Sequence, residues 1–84
     1  MKASEAMITM AEKVRGLPLP HLKVWRMRKL LGQAELAEKS GLAKSTIARA
    51  ERGDEVVSFA NIRKLAEALE ISTDDLLHKN PEGN

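Results

Sequence analysis

The sequence of 84 residues contains no cysteine and no tyrosine, and only one tryptophan and one phenylalanine. Without cysteine there is neither a disulfide framework nor a thiolate metal site. The two histidines, His21 and His78, stand far apart, so no imidazole metal cluster is expected. No apolar run approaches the length of a membrane span, and no secretory pattern opens the sequence. A cytoplasmic protein with no cofactor and no membrane partner is therefore expected. Also missing are a nucleophile–base pair, a carboxylate pair at a plausible site and a phosphate-cradling glycine loop, which argues against an enzyme. A chain of this length implies one small domain with a modest core.

The net charge of +2 says little by itself, but its distribution is uneven. Residues 21–52 carry eight lysines and arginines against three acids, a net +5, whereas residues 53–84 carry three against seven, a net −4. A basic half of this kind marks a candidate surface for a polyanion. Solvated helix faces give the same count, so charge needs a second observation beside it.

Periodicity supplies helices. Residues 1–16 read either as a frayed tail or as an amphipathic helix, with Ser4 as N-cap and Met7, Met10, Ala11 and Val14 on one face. Gly16 would end that helix, and Leu17-Pro18-Leu19-Pro20 reads as a stiff extended linker. A first core helix is predicted from Pro20 or His21 to about Lys29, turning Leu22, Trp25, Arg26 and either Leu30 or Met27 inward. A second runs from Gln33 to about Ser40 and a third from about Ala43 to Arg52. Ser58 caps a fourth, Phe59 to Leu69, whose inner face is Phe59, Ile62, Leu65, Ala66 and Leu69. Thr73-Asp74-Asp75 opens a short fifth helix, its acids placed where the helix dipole favours them. No segment alternates like a strand. The expected organisation is an extension over 1–20, a domain over 21–78 and a disordered tail over 79–84.

The second and third helices flank a tight turn at Ser40-Gly41-Leu42. Leu36, Ala37 and Ser40 share one face of the second helix, Ala37 is small enough for close helix approach, and Gly41 suits a positive φ. Ile47 anchors the third helix inward, and Trp25 beside Leu22 reads as partly buried core. The arrangement resembles the Cro/repressor-type, or Xre-like, helix-turn-helix family. Arg26, Leu31, Gln33, Leu36, Ala37, Gly41, Leu42, Ile47, Glu51, Gly53, Leu65–Leu69 and Leu76-Leu77 carry the resemblance, which runs from about Leu22 to about Leu77. It implies an all-α, five-helix lambda-repressor-like DNA-binding domain, with an N-terminal extension that adds a helix in one reading. The function it implies is a repressor-like regulator bound to double-stranded DNA as a homodimer.

The resemblance also implies roles for single residues. Helix 43–52 would enter the major groove, with Lys44, Ser45 and Arg49 facing base edges. The planar fork of Arg49 matches guanine O6 and N7. Gln33 and Arg52 would approach phosphates, as would Thr46, which alternatively offers a methyl group to a base as Ala48 does. Arg28 and Lys29 are weaker phosphate candidates. Arg26 and Glu51 match a structural salt bridge between the first and third helices. The sequence departs from the family where Leu30 and Glu70 replace glycines, Ala43 replaces a capping Ser or Thr, and Ala50 replaces a bulkier residue. Asp54 and Glu55 put acids next to the helix that would face phosphates. The competing reading is a protein-interaction module, such as an antitoxin, engaging a protein partner through residues 1–20.

Overall fold

The computed structural model describes residues 15–83. Residues 1–14, and with them nearly all of the 1–16 segment read as either a helix or a frayed tail, lie outside the described residues. Five helices form among the described residues: α1 (Leu22–Arg28), α2 (Gln33–Ser40), α3 (Lys44–Arg52), α4 (Phe59–Leu69) and α5 (Thr73–His78). They enclose one core in which Leu22, Leu36, Ile47, Leu65, Leu69 and Leu76 are fully buried. The helical spacing of these leucines and isoleucines supplies one inward stripe per helix, and burying those stripes against each other provides the main stabilisation.

The absence of strand alternation predicts no strand, yet two very short ones form. β1 (Gly16–Leu17) pairs antiparallel with β2 (Val57–Ser58), Gly16 opposite Ser58 and Leu17 opposite Val57. Gly16 is required here by close approach: a Cβ would stand 2.1 Å from the Val57 carbonyl oxygen. Gly16 thus lies in a strand, where the sequence suggested a helix end. The segment read as a linker is anchored beyond it, with Leu19 buried and Leu17 packed against the core. Two side chains assigned inward turn outward. Met27 is 57% exposed and Phe59 is 43% exposed. Leu30 is the most exposed large apolar residue described, and Leu31 packs on the core in its place. At the other end, the Trp25 indole Nε1–H donates to the Lys79 carbonyl at 3.0 Å, so the first residue of the expected tail is tied to α1.

Four helices end in the same left-handed turn. The residue in the left-handed conformation is Leu30 (φ 60°) after α1, Gly41 (φ 76°) after α2, Gly53 (φ 78°) after α3 and Glu70 (φ 60°) after α4. In each case the next amide reaches back to a carbonyl of the last helical turn. Leu31 N–H donates to Arg26, Leu42 to Ala37, Asp54 to Arg49 and Ile71 to Ala66, at 3.0–3.1 Å. This is the Schellman closure, which satisfies carbonyls the helix leaves unpaired. Leu31, Leu42 and Ile71 then pack against the core, as that motif favours. Asp54 is exposed. Leu30 and Glu70 occupy this conformation with a Cβ, where a side chain costs energy that glycine avoids.

N-termini differ in the same way. Ser58 Oγ accepts from Asn61 N–H at 3.2 Å and Ser72 Oγ accepts from Asp75 N–H at 3.0 Å, capping α4 and α5. At α2 and α3 the capping positions are Gly32 and Ala43, which offer no side-chain acceptor. At α2 the Glu35 carboxylate instead accepts from the Gly32 amide at 2.8 Å.

Candidate nucleic-acid interface

The faces of α3 follow from its sequence. At about 100° per residue, Ile47, Ala50 and Glu51 fall on one side, and Ser45, Ala48, Arg49 and Arg52 fall on the other. Ile47 and Ala50 are buried, whereas Lys44, Ser45 and Arg52 are exposed and Thr46, Ala48 and Arg49 are half-buried. The outward side is short and carries two guanidinium groups, with Lys44 at its N-terminal edge.

An ion pair fixes the inward side. Arg26 of α1 donates from Nε to Glu51 Oε2 at 2.6 Å and from Nη2 to Glu51 Oε1 at 3.1 Å. Its Nη1 donates to the Leu31 carbonyl at 2.8 Å. Both side chains are nearly buried, 11% exposed for Arg26 and 5% for Glu51. Gln33 joins them, its Nε2 donating to Glu51 Oε1 at 3.0 Å. The network therefore ties α1, α2 and α3 together, and the guanidinium also holds the carbonyl just past the α1 end. A buried charge is tolerated only with such partners.

On the outward side the acids after α3 fold back onto it. Arg49 Nε donates to Glu55 Oε1 at 3.1 Å, and Arg52 Nε donates to Asp54 Oδ2 at 2.8 Å. All four of these side chains are between 43% and 60% exposed. The Gly53 turn brings the two carboxylates to the last turn of the helix.

A family model described as helix-turn-helix, HTH_3, matches residues 22–76. The chain belongs to the helix-turn-helix family. Its Xre/Cro-like members are DNA-binding domains with the five-helix lambda-repressor-like architecture seen here. A solved structure at 45% identity superposes with a TM-score of 0.65 over 67% of this chain and 85% of the other. It is the restriction-modification controller protein C.AhdI from Aeromonas hydrophila. No curated protein matches.

In this helix-turn-helix protein α2 and α3 are the paired helices, joined through Gly41. Lys44, Ser45, Arg49 and Arg52 stand together on or beside the outward side of α3. Thr46 lies at its margin and is half-buried. Gln33 sits at the first turn of α2, but its amide nitrogen is turned to Glu51 rather than to solvent. That contact, and the pairing of Asp54 and Glu55 with the two arginines, went unread in the sequence. The signal available was Gly53, whose left-handed turn reverses the chain so that the next residues meet the arginines of the last helical turn. None of the helices among the described residues is long and apolar enough to cross a membrane.

Proposed function

We propose that this protein is a sequence-specific, repressor-like transcriptional regulator that lays α3 in the major groove of double-stranded DNA. The observation that carries the reading is the outward side of α3, where half-buried Arg49 and exposed Arg52 reach solvent on a helix held rigidly from behind by Arg26 and Glu51. A helix of this width fits the major groove. Arg49 reads a guanine, with Lys44 and Ser45 at neighbouring base edges. Arg52 and Thr46 contact phosphates, as does the N-terminal turn of α2 at Gln33, where the dipole favours an anion. Affinity comes from phosphate neutralisation and sequence choice from the base contacts. Two copies bind as a homodimer to half-sites about one helical turn apart. The likeness to a restriction-modification controller supports a regulator over the protein-interaction reading. That second reading relies on residues 1–20, most of which lie outside the described ones.

Selection from a random duplex library, followed by sequencing of the bound DNA, tests the proposal by returning a half-site, a spacing and a symmetry. On the selected site, Arg49→Ala weakens binding by about 1–3 kcal/mol and relaxes the preference at one base pair. Fluorescence anisotropy measures the loss. Failure to enrich any sequence, with no salt-sensitive binding to duplex, refutes the function.

A further inference from the structure

The two ion pairs at the C-terminal end of α3 set it apart from the other helices that close in a left-handed turn among the described residues. Where α1, α2 and α4 are followed by Leu31, Leu42 and Ile71 packed on the core, α3 is followed by exposed Asp54 and then by exposed Glu55. Carboxylates are poorly placed at a helix C-terminus, where the dipole is negative, and poorly placed beside DNA phosphates. Their partners are the two arginines of the outward side. The two contacts nevertheless differ in what they touch. Asp54 holds Arg52, which faces phosphate in the function proposed above. Glu55 holds Arg49, the residue assigned there to a base.

The Glu55 contact is made through Nε. A guanidinium has five N–H donors in a planar fork, and the Nε–H lies at its base. With Nε engaged, the terminal Nη1 and Nη2 groups make no hydrogen bond among the described residues, and they are a pair of donors able to meet guanine O6 and N7 together. The carboxylate also opposes any approach to a phosphate that lacks the compensating base contact. We propose that Glu55 is a positioning and specificity-determining residue. It aims the fork of Arg49 and penalises duplexes that offer it no guanine, whereas Asp54 only lowers affinity in general. This inference rests on the DNA-binding reading.

The test uses the full chain and measures binding by fluorescence anisotropy to two duplexes, the selected site and a scrambled sequence of the same length. The wild type is measured first across a salt series, and its binding tests the underlying function independently of Glu55. Asp54→Asn is expected to tighten both duplexes alike, by about threefold to tenfold, because one charge is removed from the phosphate side. Glu55→Gln is expected to tighten the scrambled duplex by a similar factor, with little or no gain on the selected one, so that discrimination falls by about that factor. In an Arg49→Ala background the same Glu55 substitution should no longer change discrimination. Thermal unfolding of each variant confirms an intact fold, which these exposed pairs barely influence. If Glu55→Gln tightens both duplexes in parallel, or if its effect on discrimination persists without Arg49, Glu55 is a bulk charge and the inference is overturned. If wild-type protein shows no salt-sensitive duplex binding, the proposed function fails and takes the inference with it.

Discussion

The inward and outward sides of α3 are built from the same chemistry, arginine against carboxylate, and behave as different devices. On the inward side Glu51 meets Arg26 from another helix with two hydrogen bonds, accepts a third from Gln33, and is almost wholly removed from water. On the outward side Arg49 and Arg52 meet carboxylates only a few residues away, in solvent, through one nitrogen each. Burial decides the difference. A desolvated pair cannot lose one partner cheaply, whereas an exposed one exchanges its partner for water or a phosphate at little cost. The helix is thus clamped where it meets the scaffold and left free to trade partners where it faces outward.

The largest expected break of this contrast is Glu51→Ala. Removing the carboxylate strands the Arg26 guanidinium in the core and should cost about 3–5 kcal/mol of stability. Denaturant unfolding followed by circular dichroism measures it, and an unchanged midpoint would show the inward pair to be ornamental. Next in size is Gly53→Ala. Nothing stands within 4 Å of the added Cβ, so the penalty is conformational alone, about 1–2 kcal/mol for a side chain at this φ. The same logic reverses after α1. Leu30 sits at φ 60° with 89% exposure, so Leu30→Gly loses no packing and should stabilise by up to about 1 kcal/mol, less the entropy glycine adds to the unfolded chain. A loss of stability there would mean that the exposed leucine has a contact partner. Smallest of all, Asp54→Asn and Glu55→Gln should each leave stability within about 0.5 kcal/mol, because exposed pairs contribute so little. A larger change at either would erase the distinction between the two sides.

Much of this was legible in the sequence, for physical reasons that vary by element. Ile47 could be placed inward because helical spacing and the turn at Gly41 leave it no other direction. Ser58 could be placed as a cap because its hydroxyl precedes a long amphipathic run. At Leu30 and Glu70 the family resemblance marks only that glycines are replaced, and the left-handed turns themselves emerge from the fold, since neither residue favours that conformation on its own. The strands were not legible. Two residues are too few to alternate, and the requirement at Gly16 comes from the Val57 carbonyl, about forty positions away. Phe59 and Met27 were misplaced because periodicity defines a stripe but not its edges, and both sit at an edge next to solvent. Gln33 turns to Glu51 because the buried carboxylate still had an oxygen able to accept, and only the assembled fold reveals that demand.

In the function proposed here the outward side of α3 is the surface that meets DNA. Amide resonances recorded while a selected duplex is added test it most directly. The largest shifts are expected at Lys44, Ser45, Ala48, Arg49 and Arg52 and in the first turn of α2, while the interior of α4 stays nearly still. Shifts concentrated on α4 and α5, with α3 silent, would contradict it.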